Sequence, residues 1–251
     1  MNQAEAWSAV ARSYEKEFVD PYRADQRNPV LRALAKLPNA DKLTVADFGC
    51  GTGPLLPFLA ERFGTVLAID FAPQMLERAR ESVAGKTNVQ FLQLSFADLS
   101  SLAGQVDVGT SINSLVLPHV GEMQHALGQM RQCFRPGGRF FGIVPAMDGV
   151  HYYTMLLLDR ALAAGKPLPV ARKNAAYFAE HVTYDFAFGQ FFHKGIEQHF
   201  WTPFELQYRF RRAGYRRLQL RKLHLAWNHF AKGEDLQKHP APWDWCFCAR
   251  V

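Results

Sequence analysis

The stretch Val45-Ala46-Asp47-Phe48-Gly49-Cys50-Gly51-Thr52-Gly53 decides the fold. An apolar run leads into an acid and then into glycines at alternate positions, 49, 51 and 53. Glycine removes the Cβ where the backbone must turn tightly and where a ligand must approach the main chain. A helix expected from Pro54 onward would aim its free N–H groups and positive dipole end at the same turn. At the end of the next apolar run stands Asp70, whose carboxylate has acceptors for both hydroxyls of a ribose. Glycine turn plus strand-terminal acid points to a nucleoside-bearing cofactor. The glycines read G-x-G-x-G rather than the G-x-G-x-x-G of dinucleotide sites, and no Walker lysine follows.

Working outward, short apolar runs alternate with amphipathic stretches, the pattern of βαβ units and a parallel sheet. Strands are expected at Thr44–Phe48, Thr65–Asp70, Val89–Leu94, Val106–Ile112 and Arg139–Pro145, and helices at Leu55–Arg62, Pro73–Val83 and Gly121–Phe134. Arg135-Pro136-Gly137-Gly138 should close the last of these helices. Residues 146–200 break the rhythm: helix-like stretches (Tyr152–Ala164, Asn174–His181), many aromatics and no clear strand alternation suggest an insertion. A helix over Thr202–Ala213, capped by Thr202 and closed by Gly214, then leads to strands at Arg217–Trp227 and Trp243–Val251. Met1–Leu37 reads as mostly helical.

The 251 residues are 48% apolar and 21% charged, which excludes a disordered or fibrous chain. No apolar run approaches the length of a membrane span, and Met1–Val10 lacks the features of a secretory signal, so a cytoplasmic location is expected. Four cysteines, at 50, 133, 246 and 248, suit reduced thiols better than disulfides or zinc, and no metal site is expected. The net charge of +6 is concentrated: Arg209, Arg211, Arg212, Arg216, Arg217, Arg221 and Lys222 fall in an acid-free run. A solvated helix face is the expected reading of this run and nucleic acid an unlikely partner, with an acidic or RNA surface as the rival reading.

With DFGCGTG at 47–53, AID at 68–70 and CFRPGG at 133–138 in register, the sequence resembles the class I S-adenosylmethionine-dependent methyltransferases over about residues 40–145. The stretch TPFELQYRFRRAGY at 202–215 extends the likeness toward the C-terminus. The resemblance implies an α/β fold, a doubly wound Rossmann-like sheet of seven strands, mostly parallel with the last one antiparallel, carrying a helical and aromatic cap. One domain is expected: a helical lid at 1–40, the cofactor-binding core at 41–145, the cap at 146–200, and a helix with two strands at 201–251. The implied cofactor is S-adenosyl-L-methionine. Asp47 and the backbone of Gly49, Cys50 and Gly51 would face its methionine part, with Gly53 completing the turn. Asp70 would hold the ribose, Phe71 and Met75 an adenine face, and Asn113 and Ser114 would flank the sulfonium. The sequence departs from the family near position 95, where an acid is expected and Ser95 stands. Either Asp98 swings in, or Ser95 and the backbone at Phe96 and Ala97 read the adenine edge.

Methyl transfer from a sulfonium disperses charge, so alignment and water exclusion can supply much of the catalysis, and a base is needed only for a protonated nucleophile. His119, after the fourth strand, is the candidate base, with packing or capping of the next helix as its plainer reading. Asp148, His151, Tyr152 and Tyr153 should line the acceptor side, and Tyr14 and Tyr22 lie in the expected lid. The expected function is therefore methyl transfer to a small-molecule acceptor, aromatic or apolar in view of the cap. An RNA or protein methyltransferase using the 209–222 cluster and a non-catalytic cofactor-binding module are the rivals, with a nicotinamide-dependent oxidoreductase a weaker third.

Overall fold

A computed structural model describes residues 28–176, 182–185, 187–193, 196–230 and 234–251. A first helix, α1 (Pro29–Ala35), is capped by Asn28, whose side chain accepts from the N–H groups of Val30 and Leu31. The central sheet then alternates with helices: β1 (Thr44–Phe48), α2 (Leu56–Arg62), β2 (Thr65–Asp70), α3 (Pro73–Ser82), β3 (Val89–Gln93), β4 (Val106–Ile112), α4 (Val120–Cys133) and β5 (Phe134–Val144). The insertion contributes α5 (Met147–Ala163), α6 (Leu168–Ala175) and three short strands, β6 (Val182–Asp185), β7 (Gln190–His193) and β8 (Ile196–His199). The chain returns to the main sheet through α7 (Pro203–Arg212), β9 (Arg216–His224) and β10 (Trp243–Arg250).

The main sheet has seven strands in the order β3-β2-β1-β4-β5-β10-β9. Strands β1 to β5 pair in parallel, and β10 is antiparallel to both β5 and β9. The last strand of the chain is thus the antiparallel one, set between β5 and β9. Both faces are covered. One side buries Val45, Leu56, Leu59, Val66, Leu76 and Ile143, and the other Phe48, Ile69, Leu127, Phe140, Phe210 and Phe247. Burial on two faces is why β1 and β2 read as near-continuous apolar runs. Strand order reverses between β1 and β4, and in open parallel sheets the crevice beyond the carboxyl ends at such a switch point is where ligands bind.

Four expectations change. β5 starts at Phe134, five residues earlier than expected, because Phe134 pairs with Val106 before a register shift. The insertion holds an antiparallel sheet, β6-β7-β8, where no strands were expected. Helix α6 ends at Ala175, so of the expected Asn174–His181 helix Asn174 and Ala175 are helical and Ala176 is not, while 177–181 lie outside the described residues. Thr202 sits at the start of α7, but its hydroxyl makes no cap bond and is buried without a partner. Most of the Met1–Leu37 segment, including Tyr14 and Tyr22, also lies outside the described residues.

Candidate functional site

The turn after β1 forms because its backbone takes conformations that only glycine adopts cheaply: φ is +73° at Gly49, +55° at Gly51 and +82° at Gly53. The N–H groups of Gly49 and Cys50 both donate to the Ile69 carbonyl at 2.8 Å, tying the turn to the end of β2. A Cβ on Gly49 would collide with the side chain of Ser114, whereas one on Gly51 would meet nothing within 4 Å. Gly49 is therefore closed by packing, and Gly51 opens toward free space.

That space is a cleft, partly open to solvent, lined by Gly49, Gly51, Asp70, Phe71, Met75, Phe96, Ile112, Asn113, Ser114 and Val116. Asp70 accepts from the Gly51 N–H and the Ala72 N–H, both at 2.9 Å, one on each carboxylate oxygen. A carboxylate has about four lone-pair sites, so both oxygens keep acceptor capacity for a ligand's hydroxyls. Burial raises the Asp70 pKa, partly offset by those backbone donors. Opposite, Asn113 adopts φ +52° and its Oδ1 is buried without a hydrogen-bond partner. An orphaned acceptor of this kind calls for a donor from a ligand. The Ser114 hydroxyl is committed to the Phe48 carbonyl at 2.6 Å and to Ser111 at 2.7 Å.

Several expected residues stand behind the cleft rather than on it. Asp47 is buried beneath the turn, accepts the Thr110 hydroxyl at 2.7 Å, and is pushed up to about 7, chiefly by burial, against the Thr110 bond and with Asp70 adding to the rise. Cys50 is buried too, and burial, Asp47 and Asp70 together hold its thiol well above the usual range, in the neutral form. Gly53 packs toward Ala79 and Ser82 of α3.

Near the departure at position 95, only Phe96 reaches the cleft. Ser95, Ala97 and Asp98 are exposed, with the Ser95 hydroxyl accepting from the Ala97 N–H. Asp98 does not swing in: its carboxylate takes the hydroxyl and N–H of Ser100 at 2.7 and 3.0 Å, bonds that lower its pKa.

His119 is exposed at the start of α4, makes no side-chain cap bond and is not a cleft-lining residue. The first turns of α5 pack against the start of β10, on the same edge of the sheet but beside the cleft. Asp148 accepts from the indole of Trp245 at 3.1 Å, Tyr152 packs on Trp243 at 5.3 Å between ring centroids, and Tyr153 on Phe230 at 4.9 Å. His151 is exposed on the same helix. These four residues and His119 are not brought to the cleft. Among the described residues no group of three His, Cys, Asp or Glu side chains could hold a metal, and no helix is long and apolar enough to cross a membrane.

Sequence reasoning missed Ile112 and Val116 as cleft walls, and it missed what holds Val116 in place. His199 donates its backbone N–H to the Val116 carbonyl at 3.0 Å, and the fully buried Trp201 gives its indole N–H to the Leu115 carbonyl at 2.7 Å. Trp201 also exchanges backbone bonds with Pro145 and Met147 at the end of β5. His199 is fixed by Glu205 at 2.9 Å, and Glu205 by Arg209 at 2.6 Å, which lower the Glu205 pKa against burial. A tryptophan following a histidine in an aromatic-rich run was the only signal, and it does not name its partners.

Residues 45–138 match the methyltransferase domain family. Among curated relatives, the malonyl-[acyl-carrier protein] O-methyltransferase of Pectobacterium atrosepticum is 30% identical over 54% of this chain and 49% of its own length. The trans-aconitate 2-methyltransferase of Azoarcus sp. (strain BH72) is 31% identical over 46% of this chain and 44% of its own. The tRNA 5-carboxymethoxyuridine methyltransferase of Escherichia coli (strain K12) is 27% identical over 51% and 52%. The chain thus spans about half the length of the curated relatives it matches. An S-adenosylmethionine-dependent methyltransferase of Mesorhizobium loti shares the fold, with a TM-score of 0.59 at 20% identity over 89% of this chain and 96% of that one. The matched residues coincide with the glycine turn, the switch point and the cleft they enclose, so residues 45–138 are similar to a methyltransferase domain and the fold is that of S-adenosylmethionine-dependent methyltransferases.

Proposed function

We propose that this protein methylates a carboxylate-bearing acceptor with S-adenosylmethionine as the donor. The observation that carries the cofactor half is the pairing, across one cleft, of Asp70 with the orphaned Asn113 Oδ1, beside a turn whose Gly51 leaves room for a ligand. These residues fit the cofactor: Asp70 would take its ribose hydroxyls, Phe71, Met75 and Phe96 its base, and Asn113 a donor near its methionine part. Bound there, the cofactor supplies an electrophilic methyl group.

The acceptor half rests on chemistry the chain does not have to perform. Among the described residues Asp70 is the one ionisable side chain lining the cleft, and its place is with the ribose. Malonyl, aconitate and carboxymethoxyuridine, named for the three relatives, all carry a carboxylate. A carboxylate is already ionised at neutral pH, so the chain need only bind it, orient it and keep water away. His119 then has no required role as a base. The sequence-based expectation of an aromatic or apolar acceptor loses its support in Tyr152 and Tyr153, whose rings are taken up by Trp243 and Phe230. The insertion of residues 146–200 serves in this reading as a cap that starts at the carboxyl edge of β5.

The test is incubation with methyl-labelled S-adenosylmethionine and a metabolite and RNA extract. A product whose label is released by mild alkali, as from an ester, is expected. Label that survives alkali, as on nitrogen or sulfur, would overturn the carboxylate reading.

A further inference from the structure

Beyond the paired residues Ile112 and Ile143, β4 and β5 run on into residues 113–116 and 145–147, and the last residues of the insertion are bonded to both segments. Trp201 bridges in parallel to Ala146, donating its N–H to the Pro145 carbonyl at 2.8 Å and accepting from the Met147 N–H at 3.0 Å. On the other segment, His199 donates its N–H to the Val116 carbonyl at 3.0 Å, and the Trp201 indole donates to the Leu115 carbonyl at 2.7 Å. Residues 113–116 supply three walls of the cleft, Asn113, Ser114 and Val116, the first with its orphaned Oδ1. The place of residues 199–201 therefore bears on where that acceptor stands.

A chain of polar side chains holds His199 in turn. Its ring is 2% exposed, meets the Trp201 ring edge-on at 5.0 Å between centroids, and is so close to Gly189 that a Cβ there would fall 2.9 Å from its Cε1. Its Nε2 lies 2.9 Å from Glu205, which takes Arg209 on its other oxygen at 2.6 Å. Burial raises the Glu205 pKa, but the bonds from His199 and Arg209 bring it below its usual value, so the carboxylate is ionised. An ionised carboxylate only accepts, and Nε2 must therefore carry the hydrogen. Arg209 is thus an internal partner, whereas the other cations of the acid-free run, Arg211 and Arg212 at the end of α7 and Arg216, Arg217, Arg221 and Lys222 on β9, are exposed and do not form one helix face. The His199 Nδ1 is buried without a partner among the described residues, a cost that an apolar ring in the same place would not carry. What histidine adds at this position is the directional bond from Nε2 to a charged acceptor.

We propose that His199 is a positioning residue for the cofactor: its bond to Glu205 fixes the ring, and through its backbone it sets residues 113–116 against the methionine part of S-adenosylmethionine. This rests on the cofactor reading above. The experiment is calorimetric titration of the full chain and its variants with S-adenosylhomocysteine, joined to their urea midpoints. His199→Phe keeps a ring but loses the bond, and should bind about 3- to 30-fold more weakly. His199→Gln again offers an N–H to Glu205 and should restore most of the affinity. Glu205→Gln keeps the shape of the carboxylate without its charge and should weaken binding in the same direction. Tyr215→Phe gives up a core hydrogen bond to the Leu127 carbonyl, away from residues 113–116, and marks what loss of stability does alone: a lower urea midpoint with unchanged affinity. Wild-type affinity in both His199→Phe and Glu205→Gln, whatever their urea midpoints, would overturn the proposal and leave the cofactor reading standing, as would a His199→Gln that binds no better than His199→Phe. No binding by the folded wild-type protein would instead overturn the cofactor reading, and the role of His199 with it.

Discussion

Two glycines two residues apart have opposite duties. Gly49→Ala must push its methyl into Ser114 as well as hold φ at +73°, so it should destabilise the protein by several kcal/mol. Gly51→Ala pays only for its φ of +55°, about 1–2 kcal/mol, but puts a methyl into the cleft. The expected outcome is a large drop in urea midpoint for Gly49→Ala, and for Gly51→Ala a small one joined to weakened S-adenosylhomocysteine binding. A single charge decides the next case. Asp70→Asn keeps the shape but removes a charged acceptor worth about 1.5–3 kcal/mol, so affinity for S-adenosylhomocysteine should fall about 10- to 100-fold by calorimetry. These residues were legible because each depends on its own neighbours: a turn needs glycine, and a strand end presents the acid. At position 95 the sequence left two readings open, and the structure does not bring Asp98 to the cleft. Ser100, two residues on, satisfies its carboxylate locally, and no sequence distance reports that.

At the level of elements, β1, β2 and β4 were legible to the residue, and for β1 and β2 the reason is that strands buried on both faces leave near-continuous apolar runs. Strands β6 to β8 were not. Four residues each allow barely two turns of alternation, and the aromatics among them mask it. The tie from Trp201 to Leu115 spans 86 positions and leaves no mark in either segment. It makes a clear prediction nonetheless. Trp201→Phe keeps a ring in the core but strands the Leu115 carbonyl, at a cost of about 1–3 kcal/mol. The urea midpoint should fall while the slope of the transition stays at the wild-type value. Unchanged stability would mean that the carbonyl finds another donor.

Across the whole molecule, two buried acids set a pH dependence. Burial pushes both Asp47 and Asp244 up to about 7, against 3.8 for the free side chain. Thr110 and the Ala146 backbone bond oppose the rise without cancelling it. Between those values the folded chain holds more protons than the unfolded one. The stability these groups contribute is therefore full below about pH 4 and is lost as pH rises through 7. The cofactor-free protein should be more stable to urea at pH 5.5 than at pH 8, and the difference should shrink in Asp244→Asn. A midpoint that rises with pH over this window would contradict the assignment.

If the cleft between β1, β2 and β4 is a cofactor site, calorimetric titration of the wild-type protein with S-adenosylhomocysteine reads it out. Saturable binding with one ligand per chain, weakened in Asp70→Asn, is expected. No binding at millimolar ligand by a folded protein, or binding that Asp70→Asn leaves unchanged, would contradict it.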